Sequence, residues 1–209
     1  MSRPRILLAD DHTLLLDAFK ALLEPEFDVV ATVVDGRTLL DECARLHPDV
    51  VVLDIAMPLL NGLDAGRQLR SRRDVPKLIY LTMNPNPDLA GEALQFGASG
   101  YVLKSSAATE LTQAIREALK GRSYITPLIA GEVVGALAGS RDGKPELTAR
   151  QREVLQLLAE GRSMKQAADI LNVAPRTVAF HKYRMMEQLG LKTSAELIRF
   201  AVRASLVAS

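Results

Sequence analysis

The sequence is poor in several features that mark other protein classes. It has a single cysteine, Cys43, and no tryptophan. One cysteine cannot form an internal disulfide, which suits a reducing cytoplasm, and we expect Cys43 to be a small core residue. The lack of tryptophan argues against an aromatic-lined cavity for a small molecule. Nothing resembles a signal peptide or a membrane span, since the apolar run after residues 1–5 is short, so we expect a cytoplasmic protein that does not engage a membrane.

Charge is divided unevenly along the chain. The net charge of +1 conceals 14 basic and 18 acidic residues in 1–140, against 12 basic and 7 acidic residues in 141–209. The basic surplus of the last third indicates a polyanionic partner for that part of the protein. With 209 residues, of which 48% are hydrophobic, the chain can form one large or two small domains, each with its own core.

The first 122 residues alternate apolar runs with amphipathic segments. Short β-branched runs between turn-forming residues predict strands, and apolar residues at helical spacing predict helices. The predicted strands are 5–10, 27–33, 50–54, 77–82 and 100–103, and the predicted helices are 12–23, 38–46, 63–70, 89–96 and 107–120. Five strand-helix units with short connections predict an α/β fold with a doubly wound, five-stranded parallel sheet.

Polar side chains stand where four of these strands end. Asp10 and Asp11 follow the first strand, Asp54 ends the third, Thr82 ends the fourth and Lys104 follows the fifth. In a parallel sheet these ends share one edge, where ligands collect. Two or three carboxylates with a backbone oxygen form a site for a hard cation, and Mg²⁺ is the usual cytoplasmic occupant. A carboxylate nucleophile there can accept a phosphoryl group, while metal, lysine and hydroxyl balance the charge on its oxygens.

Residues 5–122 resemble the receiver domain of a bacterial response regulator. The matching features are the acidic pair after the first strand, Asp54 followed by Met57-Pro58 and Asn61-Gly62, the hydroxyl after the fourth strand and the lysine after the fifth. The resemblance implies a flavodoxin-like fold and makes Asp54 the expected phosphoacceptor.

The same resemblance implies roles for the neighbouring residues. The expected magnesium ligands are Asp11, Asp54 and the Ala56 backbone carbonyl, with Asp10 supporting through water. Thr82 would bond the phosphoryl oxygens and Lys104 would pair with them. Tyr101 occupies a position where the family often has an aromatic residue that changes rotamer on activation, so Thr82 and Tyr101 are the expected switch residues.

Each of these residues also has a purely structural interpretation. Lys104 could be a surface charge, Thr82 could cap the segment ahead of Pro85, and Tyr101 could simply pack in the core. Their joint occurrence at successive strand ends favours a site. Pro85 and Pro87 restrict the backbone in the loop after Thr82, which predicts a stiffer or shifted start to the fourth helix.

The pattern changes after residue 122. Residues 126–138 have Pro127 near a helix start and several apolar residues, which predicts either a linker helix or one more core helix of the preceding domain. Residues 139–145 have the composition of a flexible connector. We therefore expect a receiver domain at 1–122, a linker at 123–145 and a second domain at 146–209.

The second domain is predicted to contain four helices. Thr148 and Gln151 have the spacing of a capping box at the start of the first. A tight turn at Asn172 separates the second helix from a third, which Pro175 opens and Gly190 ends. Two helices joined by a three-residue turn form a helix-turn-helix, whose second helix can enter the major groove of DNA.

This part resembles the LuxR-type DNA-binding domain of NarL/FixJ-type regulators. The matching segments are Leu147-Thr148, Arg152-Glu153-Val154-Leu155, Ala159-Glu160-Gly161, Ala167-Ala168, Leu171, Thr177-Val178, His181 and Leu189-Gly190-Leu191. Helical spacing places Val178, Met185 and Leu189 toward the core. The candidate DNA contacts on the same helix are Arg176, Lys182 and Arg184 for phosphates, Ala179, Phe180 and Tyr183 for base edges or the thymine methyl, and Thr177 beside them. The alternative is a solvated basic face.

Together these patterns predict a transcription regulator switched by phosphorylation, and not a turnover enzyme. A histidine kinase would phosphorylate Asp54, and the receiver would release or dimerise the helix-turn-helix domain on a two-fold site in double-stranded DNA. A phosphatase would need a general acid near Asp54, but the next acid in the sequence is Asp64. A ligand-sensing regulator would need an apolar cavity in the front half. A receiver-like regulator controlled without phosphorylation, by dimerisation or a partner protein, stays open.

Overall fold

The computed structural model describes residues 2–71, 74–138, 147–204 and 206–207. A parallel sheet with helices on both faces forms the amino-terminal part, and four helices form the carboxy-terminal part. The predicted connector at 139–145 lies outside the described residues. Within the described ranges, none of the helices has the length and apolar character needed to cross a membrane.

The amino-terminal part contains six strands and six α-helices among the described residues. The strands are β1 Arg5–Ala9, β2 Asp28–Val33, β3 Val50–Asp54, β4 Lys77–Thr82, β5 Gly100–Leu103 and β6 Tyr124–Ile125. The helices are α1 Thr13–Leu23, α2 Gly36–Leu46, α3 Gly62–Arg70, α4 Pro87–Gln95, α5 Ala107–Leu119 and α6 Pro127–Ala138. A short 3₁₀ turn, Lys104–Ser106, connects β5 to α5.

The strand order is β2-β1-β3-β4-β5-β6, and every neighbouring pair is parallel. Side chains of successive strand residues point to opposite faces of the sheet. Val51 and Leu53 therefore join the core on one face, while Val50 and Val52 join the core on the other. Because helices cover both faces, β3 is buried throughout, as its unbroken apolar run predicts. The doubly wound parallel fold is confirmed.

The sheet has six strands, so the prediction of five was wrong by one. β6 consists only of Tyr124 and Ile125, which is too short to give a periodic signal in the sequence. It pairs with the edge strand β5. The next residue, Thr126, extends this contact, because its backbone amide donates a hydrogen bond to the Tyr101 carbonyl at 3.0 Å. Its hydroxyl accepts from the Leu103 amide, also at 3.0 Å.

Helix α6 packs on the amino-terminal part as one more core helix, which decides between the two interpretations of residues 126–138. It lies against α4, and its Ile129 and Val133 are buried in the core on that face of the sheet. On its other side, Leu128 and Val134 are 75% and 65% exposed. Among the described residues, the amino-terminal part thus ends with a helix that packs against α4.

The carboxy-terminal part consists of α7 Ala149–Ala159, α8 Met164–Leu171, α9 Pro175–Gln188 and α10 Ser194–Arg203. The capping box predicted at Thr148 is present. Similar boxes begin α8 at Ser163 and α10 at Thr193. The last helix ends at Arg203. Val178 and Met185 are buried in the core of this domain and Leu189 is half-buried, as predicted from their spacing.

The Asn61-Gly62 pair fixes the start of α3 close to Asp54. The Asn61 side chain accepts a hydrogen bond from the Asp64 amide at 2.9 Å and caps the helix. A Cβ at Gly62 would lie 2.1 Å from the Asp54 backbone carbonyl oxygen, a distance that no rotamer change can relieve. Glycine is therefore required here for close packing of helix and strand.

We predict opposite effects for two glycine-to-alanine substitutions. Gly62→Ala should lower the free energy of unfolding by about 2 kcal/mol or more, because backbone atoms must move. Gly131→Ala in α6, where a Cβ meets nothing within 4 Å, should raise it by about 0.5–1 kcal/mol through helix propensity. Urea unfolding of both variants measures the difference. Equal effects would contradict the requirement for glycine at position 62.

Candidate functional site

Three charged side chains meet at the carboxyl edge of the sheet. Asp10 follows β1, Asp54 ends β3 and Lys104 follows β5; their residues are 1%, 3% and 9% exposed. The Lys104 ammonium lies 2.7 Å from Asp10 Oδ2 and 2.9 Å from Asp54 Oδ2. These strands run in parallel through the sheet, and so the side chains after their last residues converge. The structure therefore brings together the acids and the lysine that the sequence placed at separate strand ends.

The electrostatic environment of Asp54 disfavours its negative charge. Burial raises the pKa of the Asp54 carboxyl, and the nearby Asp10 carboxylate raises it further, while Lys104 lowers it. Asp10 Oδ2 is buried and accepts no hydrogen bond from the described residues, although it is ion-paired with Lys104. Two buried carboxylates that share one cation leave negative charge uncompensated, and a second cation would balance it.

The arrangement of acidic oxygens fits a divalent cation. One ligand atom from each of Asp10, Asp11, His12 and Asp54 lies within 4.8 Å of the others. Carboxylate oxygens are the donors that hard cations prefer. The Asp11 side chain is partly exposed, so this side of the pocket is open to solvent. Ala56, whose carbonyl is the expected backbone ligand, lies two residues beyond Asp54 at the start of the loop after β3.

His12 lies beside this pocket. Its Nδ1 lies 2.7 Å from Asp11 Oδ1 and 3.1 Å from Asp10 Oδ1, and its backbone amide donates to Asp10 Oδ1 at 3.0 Å. The amide contact explains the arrangement, since it folds the chain after β1 back over the Asp10 carboxylate.

Thr82 and Tyr101 lie on the neighbouring strands. The buried Thr82 hydroxyl accepts a hydrogen bond from the Asn84 amide at 3.0 Å, which is the local capping role considered from the sequence. Tyr101 is fully buried and points into the core that α6 completes. Burial raises the pKa of Tyr101 to about 12. Its hydroxyl makes no hydrogen bond of good geometry among the described residues, but it lies near the Thr82 side chain, which lowers this pKa in part.

Most of the candidate DNA-contacting residues lie along α9 on the side away from its buried residues, Val178 and Met185; Lys182 is the exception, because it follows Val178 by one helical turn. Phe180 and Tyr183 are 56% and 61% exposed, although large aromatic side chains are usually buried. Arg176 and Arg184 are exposed, and Thr177, Ala179 and Lys182 are half-buried. The Lys182 ammonium lies 5.5 Å from the Tyr183 ring centre, and the Arg184 guanidinium lies 5.9 Å from that of Phe180. A basic surface with interleaved aromatic rings results. The DNA contacts of these residues stay predictions.

A buried polar contact joins the two halves of the chain, and no pattern in the sequence predicted it. Gln156, in the middle of α7, is 0% exposed because it inserts into the loop between β3 and α3. Around it, Arg152 contacts Asp64 and Glu153 contacts Gln68. Apolar spacing in α7 indicates only the face toward its own domain. The sequence signal for this contact is weak: it consists of a glutamine that stands between Leu155 and Leu157.

Comparison with known proteins gives a consistent result for both halves. The family described as response regulator receiver domain matches residues 6–116, and the family described as bacterial regulatory proteins, luxR family, matches residues 145–201. The transcriptional regulatory protein MctR of Rhizobium johnstonii is 34% identical over 207 residues, which cover 97% of this chain and 95% of MctR.

Two solved structures of the response regulator RcsB are similar over nearly the whole chain. One, from Salmonella enterica serovar Typhimurium, is bound to promoter rprA in the presence of the phosphomimetic BeF₃⁻; it has a TM-score of 0.59 and 27% identity and covers 95% of this chain and 98% of that one. The other contains two RcsB dimers bound to two parallel DNAs, with a TM-score of 0.61, 26% identity, and coverage of 96% and 98%.

We predict that removing the charge of Asp54 stabilises the protein when divalent cations are absent. Because the pKa of Asp54 is raised in the folded state, its ionised form destabilises the fold above that pKa, and the penalty disappears as the pH falls below the unfolded value. In EDTA at about pH 8, Asp54→Asn should therefore raise the free energy of unfolding by about 1 kcal/mol.

The control is Asp17→Asn, since Asp17 is exposed on α1. This substitution should leave the free energy of unfolding unchanged at the same pH. Urea unfolding at about pH 4 should show a smaller difference between the wild type and Asp54→Asn. A loss of stability in Asp54→Asn at the higher pH would contradict the charge repulsion described for this pocket.

Proposed function

Because the chain belongs to the response regulators that join a receiver domain to a LuxR-type DNA-binding domain, we propose that Asp54 is its phosphoacceptor. The observation that carries this proposal is the buried cluster of Asp54, Asp10 and Lys104 at the carboxyl edge of the sheet. The expected receiver, residues 1–122, would extend to residue 138, because β6 joins the sheet and α6 packs in its core. The linker would then be the part of 123–145 that follows α6, and the DNA-binding domain would comprise residues 146–209. The phosphoryl group would control DNA binding by the last of these.

The proposed reaction transfers one phosphoryl group from the phosphohistidine of a kinase. A carboxylate oxygen of Asp54 attacks phosphorus and forms a new O–P bond, while the P–N bond breaks and its electron pair stays on the imidazole. Lys104, 2.9 Å from Asp54 Oδ2, is close enough to pair with the transferred oxygens. Asp54 becomes phosphorylated in a single transfer and does not turn over further substrate, so the protein acts as a regulator that holds the phosphoryl group.

Mg²⁺ is the cation that the pocket suits, because its donors are carboxylates and a nearby backbone carbonyl. Asp11, Asp54 and the Ala56 carbonyl would hold it, with Asp10 bound through water. When bound, Mg²⁺ neutralises negative charge on the phosphoryl oxygens. The residues themselves position the acceptor, and the burial of Asp10 and Asp54 excludes bulk water from that side.

The phosphoryl group would create new hydrogen-bond acceptors near Thr82. A hydroxyl that turns to donate to these oxygens would leave the Asn84 amide that it now caps, which changes the loop leading to α4. Tyr101 is the second proposed switch residue, since its buried hydroxyl lies near the Thr82 side chain and would respond when the Thr82 hydroxyl turns. Pro87 begins α4, and Asn86 caps it, so the loop can move only before this point.

The DNA-binding half would act as a dimer on duplex DNA. Support comes from α9, whose exposed surface combines arginine and lysine with two aromatic rings. Arg176, Lys182 and Arg184 would contact phosphates. The similar RcsB structures contain dimers on DNA and a phosphomimetic. The signal would come from a sensor histidine kinase.

We predict that Asp54 takes up a single phosphoryl group from a small phosphodonor in the presence of Mg²⁺. Intact mass spectrometry of the wild type with acetyl phosphate should show the mass gain of one phosphoryl group, and EDTA should abolish it because the transferred charge is no longer balanced. Asp54→Ala should show no gain. A wild type that stays unmodified would instead favour a regulator controlled without phosphorylation.

We also predict that the basic residues of α9 contribute to the salt dependence of DNA binding. Lys182→Ala or Arg184→Ala should weaken binding to a mixed-sequence duplex and reduce the slope of log K against log salt by about 1, since each neutralised phosphate releases about one counterion. Lys77→Ala, at an exposed position in β4, is the control and should keep the full slope. Fluorescence anisotropy over a salt series gives the slopes, and identical slopes for all proteins would exclude phosphate contacts by these two residues.

A further inference from the structure

The DNA-binding domain forms hydrogen bonds with the loop that contains the proposed backbone ligand of Mg²⁺. This loop, residues 55–61, will be called the β3–α3 loop. Gln156 of α7 donates from Nε2 to the Met57 carbonyl at 2.9 Å, and its Oε1 accepts from the Asn61 amide at 2.8 Å and from Asn61 Nδ2 at 3.1 Å. Gln156 and Asn61 are 0% and 1% exposed. A buried amide that uses both ends in this way fixes the loop at two points.

A strained residue in the same loop is held by the same domain. Leu59 has φ of +64°, in the left-handed region, which costs a residue with a Cβ about 1–2 kcal/mol. Its amide donates to Glu160 Oε1 of the DNA-binding domain at 3.0 Å, and its side chain packs against the core of that domain. Gln156 Nε2 also contacts Glu160 Oε1, at 2.8 Å. Docking therefore supplies contacts that offset the strain at Leu59.

An ionic chain extends the contact as far as α4. The buried Asp64 of α3 accepts from Arg152 Nε at 2.6 Å and from Arg67 Nη1 at 2.7 Å. Arg67 pairs in turn with Glu92 of α4. The helix that follows the Thr82 loop is thus connected to α7 through alternating charges. Movement of α4 would disturb the contacts that hold the two domains together.

Docking through α7 leaves the candidate DNA-contacting residues uncovered. Phe180, Tyr183, Arg176 and Arg184 of α9 are all exposed while Gln156 is buried. The contact therefore does not act as a cover over α9. What it restrains directly is the receiver, because Met57 is adjacent to Ala56 and three residues from Asp54.

We propose that Gln156 is a positioning residue for the cation and phosphoryl pocket, and that docking of the DNA-binding domain opposes loading of that pocket. A bound cation would need the Ala56 carbonyl as a ligand, whereas Gln156 holds the next carbonyl, that of Met57, by a hydrogen bond from α7. Because coupling between two sites is reciprocal, loading must weaken docking by the factor by which docking weakens loading. This inference rests on the proposed function for the identity of the pocket ligands and for the direction of the coupling.

The first test measures Mg²⁺ affinity of the full chain by isothermal titration calorimetry. Gln156→Glu keeps the shape of the side chain but removes the donor to Met57 and places a carboxylate beside Glu160. This variant should bind Mg²⁺ about fivefold or more tightly than the wild type. The control is Gln113→Ala, at an exposed position of α5, which should bind as the wild type does. Unchanged or weaker binding by a folded Gln156→Glu protein overturns the proposal.

A second substitution separates the contact with Met57 from charge repulsion between residues 156 and 160. Adding Glu160→Gln to Gln156→Glu removes the opposed carboxylates but does not restore the donor to the Met57 carbonyl, so Mg²⁺ affinity should stay at the level of the single variant. A return to the wild-type affinity would assign the effect to repulsion between the two carboxylates and would contradict the role of the Met57 contact.

The second test needs no variant, so it holds even where a substitution prevents folding. Hydrogen exchange of the Leu59 amide, measured by NMR in the wild type, should accelerate about fivefold or more when Mg²⁺ is added, because the Glu160 acceptor is released. Exchange that is unchanged or slower with Mg²⁺ overturns the proposal. Neither test involves phosphoryl transfer, so a protein that shows this linkage but takes up no phosphoryl group would refute the proposed function alone.

Discussion

Two buried carboxylates share one ammonium group at the carboxyl edge of the sheet, and the rest of the molecule is arranged around that imbalance. Asp10, Asp54 and Lys104 come from three strands, so the contact forms only when the sheet is in register. Burying an unbalanced negative charge lowers the stability of the fold. A cation or a phosphoryl group that enters this pocket therefore has a large effect on its electrostatic energy. Either group would change the ion pairs that Lys104 makes with Asp10 and Asp54.

From this pocket the structure offers one physical route to the other domain and a second route to α6. One passes along the β3–α3 loop to Gln156, over a few residues of backbone. The other passes through β5, where Thr126 joins the Leu103 amide to the Glu110 carboxylate and fixes the start of α6. Both routes end at elements packed in the core or buried between the domains, which have discrete arrangements and do not deform gradually. The two routes also meet at α4, which contacts α6 and is ion-paired to Arg67.

Features governed by local pattern could be predicted from the sequence, and features governed by tertiary contact could not. The buried strand ending at Asp54 and the placement of Asp10 and Lys104 on the same edge follow from periodicity and parallel topology. The two residues of β6 pair only because β5 presents an open edge. Gln156 is ordinary in a helix sequence, and its burial depends on a domain that is distant in the chain. For α6, the sequence left open whether its apolar face meets α4 or solvent.

The central claim is that the acidic pocket controls DNA binding, and one measurement tests it most directly. The affinity of the full chain for duplex DNA should be measured at fixed salt by fluorescence anisotropy, with and without beryllofluoride and Mg²⁺ to occupy the pocket. The account predicts that the wild type binds about fivefold or more tightly when the pocket is occupied, and that Asp54→Ala shows no gain. Equal affinity of the wild type in both conditions would contradict the account.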